Sequence, residues 1–288
     1  MKAILLAGGT GTRLAPLTVA VSKQLLPVHN KPLIYYPLST LLLAGARDIL
    51  IISSPRDISP MEALLGDGSQ FGVRISYAVQ PEPKGISQSI LIGESFLGSE
   101  PFLLMLGDNL LYGGGLGESL ATEFVTSGAK IFLQKVKSPE NYGVAELSEN
   151  RTRIVSIEEK PSRPKSDMAI VGLYYFDGTA VERAKKLHPS ARGELEITDL
   201  IRGYLSDSCL HFRLLERGSM WLDAGTTQSL AKASEFVQVI ENRQGLLVNS
   251  PHEVAWRLGL LSSSSVEKIA NSFESSDYGK LLGAIIQS

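Results

Sequence analysis

The sequence predicts an α/β fold in which a mixed, mostly parallel central sheet carries helices on both faces and a helical tail ends the chain. Short apolar runs alternate with helical patterns over residues 1–106, which is typical of parallel strands joined by crossover helices. Strands dominate from about residue 130, and a long amphipathic stretch begins at residue 228. Since no repeat or low-complexity linker interrupts the chain, we expect a single domain over 1–288, with a core at about 1–227 and an extension at about 228–288.

Each element has a local reason in the sequence. The strands are apolar runs bounded by turn residues, and we predict them at 3–7, 48–53, 73–79, 102–106, 131–136, 143–147, 153–158, 168–176 and near 211–215. The helices follow apolar patterns of longer period, and we predict them near 59–65, 86–96, 179–187, 198–205 and 228–243. A further helix is predicted from Asn30, as its cap, to Gly45, with a kink at Pro37. We expect the later strands to extend the same sheet and to form a lobe over the ligand site.

The composition describes a globular protein without a strongly charged surface. Hydrophobic residues make up 43% and charged residues 20%, and 28 Lys and Arg nearly balance 30 Asp and Glu, for a net charge of -2. This balance argues against a general nucleic-acid or membrane surface, which calls for a basic excess. Cys209 is the only cysteine, no apolar run approaches about 18 residues, and the N-terminus goes directly into a strand. We therefore expect a cytoplasmic protein without an internal disulfide.

A glycine-rich turn follows the first strand and is the strongest ligand signal. It reads Gly8-Gly9-Thr10-Gly11-Thr12-Arg13, with Lys23 ten residues beyond the arginine. Glycine lets the main chain approach a ligand closely, and consecutive N–H groups in such a turn form a concave anion site. Because Arg13 and Lys23 can reach the same anion, we predict a triphosphate cradle in a loop from residue 8 to about residue 27. The alternative is an ordinary tight turn with solvated basic residues.

This turn differs from two familiar phosphate loops. A Walker A loop has lysine and then Ser or Thr directly after its last glycine, whereas Gly11 is followed by Thr12 and Arg13. The dinucleotide fingerprint needs Gly or Ala at a sixth position, which here is Leu14, and Pro16 disfavours a helix directly after the turn. A nicotinamide oxidoreductase, which would also carry an acidic residue about 20 residues later, is therefore the weaker hypothesis.

Two isolated aspartates follow apolar runs and are candidate metal ligands. Asp108 stands just past the strand at 102–106, and Asp223 lies between an apolar lead-in and Gly225. Ligands of open α/β sheets bind beyond the carboxyl ends of the strands, and Mg²⁺ needs only one or two carboxylates plus substrate phosphates. Asp108 could equally be a turn residue, and Asp223 could cap the helix that begins near Gln228.

Further polar residues are candidates for contacts with a base and with a second substrate. Glu159 and Lys160 end a predicted strand; Lys160 could hold a second phosphate and Glu159 the hydroxyls of a sugar, although charged strand ends are often only solvated. Gln80 both donates and accepts hydrogen bonds, which suits thymine, uracil or adenine and does not choose among them. The run at 192–199 either lines the sugar pocket or is an exposed helix start.

Taken in order, these segments resemble the sugar-phosphate nucleotidylyltransferases over nearly the whole chain. Each motif alone is weak, but their order and spacing together are specific. The motifs that carry the resemblance are LAGGTGTRL at 6–14, SKQLLP at 22–27, YYPL at 35–38, LLGDG at 64–68, LGDN at 106–109, EEKP at 158–161, ARGELEITD at 191–199 and WLDAGT at 221–226.

The resemblance implies a Rossmann-like nucleotidyltransferase fold and Mg²⁺-dependent transfer from a nucleoside triphosphate to a sugar 1-phosphate. The expected pair is dTTP and glucose 1-phosphate; the alternative is UTP or another base with a different sugar. The implied catalytic residues are Arg13, Lys23, Asp108, Lys160 and Asp223, with the metal at Asp108 and Asp223. The implied nucleotide contacts are Gly8, Gly9, Gly11, Thr12, Arg13, Lys23, Gln24, Gln80, Gly85 and Asp108, and the sugar-phosphate contacts are Asn109, Gly143, Glu159, Lys160 and Ile170. A homotetramer is also implied, with a possible inhibitory nucleotide sugar bound between subunits.

The chain departs from the family pattern at positions where substrates are chosen. Lys84 replaces an acidic residue, Ser87 and Ser89 replace alanines, and Ala224 replaces the usual threonine. We hypothesise that the added hydroxyls and the reversed charge alter the preferred sugar or base. A non-catalytic nucleotide-sugar sensor is another class of protein with this fold. Such a sensor would be expected to have lost its candidate metal ligands or its phosphate-binding lysine, and all of them are present.

Overall fold

The computed structural model describes residues 1–9 and 11–287, so Thr10 of the glycine-rich turn lies outside the described residues. The strands are β1 (Lys2–Ala7), β2 (Pro27–Val28), β3 (Lys31–Pro32), β4 (Asp48–Ser53), β5 (Arg74–Val79), β6 (Phe102–Leu106), β7 (Asn109–Tyr112), β8 (Ala129–Lys135), β9 (Gly143–Leu147), β10 (Ile154–Glu159), β11 (Met168–Phe176), β12 (Leu210–Leu214) and β13 (Met220–Asp223). The α-helices are α1 (Tyr35–Leu43), α2 (Ile58–Leu65), α3 (Gln88–Ile92), α4 (Glu94–Leu97), α5 (Leu116–Thr122), α6 (Ala180–Ala184), α7 (Ile197–Ser206), α8 (Thr227–Gln244), α9 (Pro251–Arg257), α10 (Ser263–Ser272) and α11 (Asp277–Gln287). None of the helices in the described part of the chain combines the length and apolarity that a membrane span requires.

A nine-stranded sheet forms the centre of the molecule. Strand β1 lies parallel to both of its neighbours, β4 and β6, and β5 continues this parallel part beyond β4. Beyond β6, the long strand β11 runs antiparallel and pairs with β8 and β9, which β12 and β10 extend in turn. The predicted mixed α/β fold, with parallel strands at its centre and the later strands added to the same sheet, is confirmed.

Apolar side chains along β1 are buried on both sides of the sheet. Ala3 and Leu5 pack on one face with residues of α1, α2 and the C-terminal helices, whereas Ile4 and Leu6 pack on the other with α3, α4, α6 and α7. Successive side chains of a strand point to opposite faces, so an uninterrupted apolar run produces a strand that is covered on both. Because α9, α10 and α11 contribute to the first of these cores, the C-terminal helices share their packing with the central strand.

The first predicted helix is wrong at its start. Helix α1 begins at Tyr35, and residues 27–32 form the hairpin β2–β3 instead. Asn30 does not cap the helix, because it lies in this hairpin, five residues before Tyr35. Its Nδ2 donates to Glu241 Oε2 of α8 at 2.7 Å. Pro37 falls in the first turn of α1, where the backbone nitrogen needs no intrahelical partner, so no kink is required.

A two-stranded sheet that the sequence does not predict brings two segments of the candidate site together. Strand β7 pairs antiparallel with β13, and Asn109 lies opposite Asp223. The connection from β6 to β7 is only two residues long and includes Asp108, which therefore follows directly on the central sheet. After β13 the chain enters α8, whose cap is Thr226; its Oγ1 accepts from the Ser229 N–H at 3.1 Å. The alternative in which Asp223 caps this helix is wrong.

Candidate active site

The glycine-rich turn leaves the carboxyl end of β1 and approaches Gln80 closely. Gly9 and Gly11 adopt positive φ angles of 99° and 62°, which favour glycine. A Cβ atom on Gly8 would lie 2.4 Å from Gln80 Oε1, so a larger residue would displace that amide. Gln24 is buried beside the same turn, and its Nε2 donates to the Gly8 carbonyl at 3.2 Å. The candidate phosphate turn and the candidate base-contacting amide are thus adjacent.

Lys23 and Asp108 form the central ion pair of the site. Lys23 Nζ lies 2.5 Å from Asp108 Oδ2, and Asn109 Nδ2 donates to Asp108 Oδ1 at 2.8 Å. Burial opposes ionisation of Asp108, but the Lys23 ammonium and these hydrogen bonds hold its pKa below the ordinary value. The Asn109 Oδ1 accepts from Trp221 Nε1 at 2.6 Å and from the Gly172 N–H at 3.1 Å. Asn109 therefore orients the Asp108 carboxylate with an amide that is engaged inside the protein.

Asp223 reaches the same place from β13. Its Oδ1 accepts a hydrogen bond from Tyr142 Oη at 2.8 Å. A Cβ atom on Gly225 would lie 3.1 Å from both Asp223 Oδ2 and Arg13 Nη2, so the carboxylate and the guanidinium face the same space. Burial raises the pKa of Asp223, and the negative charge of Asp108 raises it further. The hydrogen bond from Tyr142 lowers the pKa but does not offset this rise. Two carboxylates and an arginine are therefore held close together.

The two carboxylates fit a divalent cation that arrives with a phosphorylated ligand. Within residues 1–9 and 11–287, no group of three or more His, Cys, Asp or Glu side chains could hold a metal ion alone. Mg²⁺ needs no such cage, because one or two carboxylates complete its oxygen shell together with substrate phosphates and water. A cation between Asp108 and Asp223 would also relieve the repulsion that contributes to the raised pKa of Asp223. The donor set therefore suits Mg²⁺.

Glu159 and Lys160 bring a second group of charges to the site from the end of β10. Glu159 is largely buried, with Lys160 Nζ at 3.8 Å and Arg192 Nη2 at 3.4 Å from its Oε1. Burial raises the pKa of Glu159, and these two cations oppose the rise. The Lys160 side chain is 46% exposed. Its ammonium is therefore open to an incoming anion, whereas the Glu159 carboxylate is held in place.

One cleft of about 180 Å³ joins these groups. The predicted site residues that line it are Arg13, Asp108, Asn109, Gly143, Glu159, Lys160, Ile170 and Asp223. Lys23 reaches the cleft through its ion pair with Asp108. Residues that belong to five separate sequence motifs therefore meet at a single place.

The same cleft is lined by aromatic residues that the sequence analysis missed. Tyr142 and Trp221 pack together with their ring centroids 5.0 Å apart, and both line the cleft. Trp221 could have been found, because it lies two residues before Asp223 and so points to the same face of its strand. Tyr142 is adjacent to Gly143 in sequence but carries no comparable signal. Thr198, from the run at 192–199, also lines the cleft.

A second cleft, of about 160 Å³, lies beside Gln80. Its lining residues are Gly9, Ser54, Arg56, Asp57, Gln80, Pro81 and Pro83. Gln80 Nε2 donates to Gln88 Oε1 at 2.8 Å and to the Gly85 carbonyl at 3.4 Å, so the predicted base contacts are neighbours. The residues at 54–57 were not predicted as site residues. Their position at the carboxyl end of β4 could have indicated them, because ligands of open α/β sheets bind there. Among the predicted residues that the structure describes, those that line neither cleft are Gly8, Gly11, Thr12, Lys23, Gln24 and Gly85.

Three of the side chains that depart from the family pattern have partners within the protein. Both serine hydroxyls donate to backbone carbonyls, Ser87 to that of Glu196 at 3.0 Å and Ser89 to that of Ile86 at 2.7 Å. Lys84 forms an exposed ion pair instead, and its Nζ lies 2.8 Å from a neighbouring glutamate oxygen. Neither cleft is lined by Lys84, Ser87, Ser89 or Ala224. The added hydroxyls are therefore not presented to a ligand.

The sheet places a glycine-rich turn, a Lys–Asp pair and the open ammonium of Lys160 around one cleft. This arrangement suits a transferase that acts on phosphorylated substrates. The family model described as nucleotidyl transferase matches residues 2–239. The chain belongs to this family.

Curated relatives and solved structures agree with the family. The chain is 54% identical to the glucose-1-phosphate thymidylyltransferase of Neisseria meningitidis and 51% identical to that of Mycolicibacterium smegmatis, in each case over 98% of both chains. A Bacillus anthracis structure, described as a candidate glucose-1-phosphate thymidylyltransferase in complex with sucrose, superposes with a TM-score of 0.75 at 39% identity, covering 82% of this chain and 94% of that one. A UDP-glucose pyrophosphorylase complexed with UDP-glucose shares the fold, with a TM-score of 0.71 at 23% identity, covering 83% of this chain and 98% of that one.

Proposed function

We propose that this enzyme transfers a thymidylyl group from dTTP to glucose 1-phosphate and releases pyrophosphate and dTDP-glucose. The observation that carries the proposal is the single cleft in which Arg13, Asp108 and Asp223 lie together with Glu159 and Lys160. The names of the relatives, at 47–54% identity over nearly the whole chain, support this base and this sugar. Both added serine hydroxyls donate to backbone carbonyls, which weakens the argument for a different substrate pair.

The reaction brings two anions together, so charge neutralisation and positioning carry most of the catalysis. An oxygen of the sugar phosphate attacks the α-phosphorus in line and forms a new P–O bond, while the bond to the β-phosphate oxygen breaks and pyrophosphate leaves. Arg13 and Lys23 stabilise the α-phosphoryl and pyrophosphate oxygens, and the exposed ammonium of Lys160 holds the attacking phosphate. Because that phosphate is already ionised near neutral pH, no general base is required.

Asp108 and Asp223 are the Mg²⁺ ligands in this proposal. When bound, Mg²⁺ neutralises charge on the phosphate oxygens. Lys23 and Asn109 keep Asp108 ionised and oriented, and Tyr142 orients Asp223 through its hydrogen bond. The surrounding side chains therefore preset both carboxylates before the nucleotide arrives.

The remaining contacts divide between the base and the sugar. Gln80 reads the base edge in the second cleft, close to the Gly8 backbone and the Gly85 carbonyl. Glu159 accepts hydrogen bonds from sugar hydroxyls, and Gly143 leaves room for the ring, since a Cβ atom there would lie 2.9 Å from a methyl carbon of Thr198 and 3.4 Å from a Glu159 oxygen. Gln24 supports the base pocket through Gly8, and Ile170 packs against the sugar.

We further propose that residues 1–288 act as one domain of a cytoplasmic homotetramer, with an inhibitory nucleotide sugar bound between subunits. The shared core of β1 and the C-terminal helices supports the single domain. The family resemblance supports the assembly and the inhibitor. Light scattering measures the assembly, and inhibition by dTDP-sugars at saturating substrate tests for the second ligand.

The test of the function is a substrate panel. The protein is incubated with Mg²⁺, each of dTTP, UTP, ATP, CTP and GTP, and each of several sugar 1-phosphates, and pyrophosphate release is measured. We expect the highest kcat/KM with dTTP and glucose 1-phosphate. A higher value with UTP or with another sugar would overturn the substrate assignment and keep the chemistry. Absence of pyrophosphate from every pair would overturn the function itself.

A further inference from the structure

A weakly packed loop connects the two cations of the phosphate site. Residues 15–21, here called the phosphate-side loop, run between Arg13 and Lys23. Leu17 is 49% exposed and Val19 69% exposed, so these apolar side chains add little burial that would hold the loop in place. Thr18 is the buried residue of the loop, and its Oγ1 donates to the Gly11 carbonyl at 2.7 Å. The loop is therefore fixed to the glycine-rich turn mainly by hydrogen bonds.

Arg56 supplies the contact that fastens this loop to the turn between β4 and α2. Its Nη1 donates to the carbonyls of Val19 at 3.2 Å and Thr18 at 3.4 Å. In the described part of the chain, no other hydrogen bond reaches residues 15–21 from outside residues 11–22. The remaining guanidinium nitrogens face Asp57, with Nε 2.8 Å from Oδ1 and Nη2 3.1 Å from Oδ2.

Asp57 makes this contact rigid. The carboxylate is buried and also accepts from Ser54 Oγ at 2.8 Å, so it cannot follow the guanidinium outward. An arginine held on both carboxylate oxygens is fixed in one plane, which leaves its remaining nitrogen aimed at the loop carbonyls. A lysine could satisfy the carboxylate or the carbonyls, but not both sets at once.

We propose that Arg56 is a positioning residue for the nucleoside triphosphate, an inference that rests on the proposed function. The residue lines the second cleft beside Gln80 and holds the phosphate-side loop, so it connects the base pocket to the segment that carries Arg13 and Lys23. Thr18 continues the connection to Gly11. The fixed loop places both cations before the triphosphate binds, which lowers the ordering cost of binding. The sugar phosphate, held near Lys160, does not depend on this loop.

The test separates the two substrates. Arg56→Ala should raise the KM for dTTP roughly three- to tenfold, the factor that corresponds to losing one or two ordinary hydrogen bonds. The KM for glucose 1-phosphate at saturating dTTP should stay within about twofold of the wild type. Amide hydrogen exchange should speed up in residues 12–21 and stay unchanged in α2. Arg56→Lys should recover part of the affinity for dTTP. Because it preserves the charge opposite Asp57, it can replace the alanine variant in these measurements if that variant does not fold.

Arg74→Ala is the matched control. Like Arg56, Arg74 pairs with an aspartate, through Nη2 2.8 Å from Asp48 Oδ2, but it lines neither cleft and should leave both KM values unchanged. Equal increases in both KM values for Arg56→Ala, or unaltered exchange in residues 12–21, would overturn the inference. Turnover of the wild-type protein is measured first, because its absence contradicts the proposed function alone. If the wild-type protein shows no turnover, the role of Arg56 is decided by comparing the wild type and Arg56→Ala in calorimetric binding of dTTP and in amide exchange rates.

Discussion

The candidate catalytic cleft and the layer of C-terminal helices both contain buried charges, but in the helical layer the Glu241 carboxylate is surrounded by donors of the protein itself. There, Glu241 accepts from Lys31 Nζ and Asn30 Nδ2, each at 2.7 Å, and from the Val248 N–H at 2.8 Å. The Lys31 and Glu241 side chains are only 1% and 2% exposed. In the same layer, His252 is buried with its Nδ1 2.7 Å from the hydroxyl of a neighbouring tyrosine.

At two carboxylates of the cleft, burial outweighs the partners that the protein provides. The pKa values of Asp223 and Glu159 are both raised, first by burial, and neither carboxylate is fully compensated by its neighbours. Such groups cost folding free energy and gain a partner when a cation, a phosphate or a hydroxyl arrives. The difference teaches that buried charge supports the fold where it is paired and prepares binding where it is not.

The largest expected effect is on stability, in the helical layer. Glu241→Ala leaves Lys31 buried without its partner, and breaking a buried pair in this way costs about 3–5 kcal/mol. Urea denaturation should report this loss in the free energy of unfolding, while turnover per folded molecule falls far less than in a cleft variant. The double variant Lys31→Met with Glu241→Leu should recover part of the stability. A single variant as stable as the wild type would contradict the assigned role of the pair.

The next effect is on catalysis, in the cleft. Lys23→Ala removes a preorganised charge from the reacting phosphates, and kcat should fall about 10²–10³-fold, or roughly 2.7–4 kcal/mol. Circular dichroism and thermal unfolding should show a folded protein. Lys165→Ala is the control, because that exposed lysine pairs with Glu158 and lines neither cleft. Near-normal turnover in Lys23→Ala would remove the lysine from the mechanism.

The parts of the fold that could be predicted are those fixed by local sequence. The run at 3–7 is continuously apolar, which is typical of a strand covered on both faces, and the glycines after it indicate a ligand turn. The start of α1 could not be predicted, because residues 27–32 form a hairpin in which Asn30 and Lys31 both donate to Glu241, 211 and 210 residues later in the chain. A capping signal is local, whereas the contacts of this hairpin are with a distant carboxylate.

The same limit applies to the candidate site. Asp108 could be predicted because it follows a buried strand directly. Tyr142 could not, because its role depends on the pairing of β13 with β7, which brings Asp223 to the cleft. Arg56 precedes a helix and resembles a solvated surface residue, and only the folded chain places Val19 against it. Contacts between distant segments carry no local signature in a single sequence.

The third prediction concerns acid stability in the helical layer. Burial lowers the pKa of His252 from 6.5 to about 4, so the folded protein holds it neutral. The unfolded chain binds its proton first as the pH falls, and stability is therefore lost between pH 6.5 and about 4, by roughly 3 kcal/mol at most. In His252→Gln, the unfolding temperature should fall less steeply across this window. Parallel curves for the two proteins would show that His252 does not titrate on unfolding.

The smallest expected effect is a change of stability with pH in the cleft. Its sign is opposite to that expected for His252. Burial raises the pKa of Glu159 above the ordinary value of 4.5, so the folded state favours the protonated acid. Stability therefore falls as the pH rises from the unfolded pKa through the folded one, where the folded protein must ionise a buried group. Glu159→Gln removes this titration, and its unfolding temperature relative to the wild type should increase between pH 4 and pH 7. Bound glucose 1-phosphate should stabilise the wild type more than the variant at pH 7, because the ionised carboxylate then accepts sugar hydroxyls. If the two proteins instead keep a constant difference with pH, Glu159 is compensated inside the protein, and the contrast between the cleft and the helical layer fails at this residue.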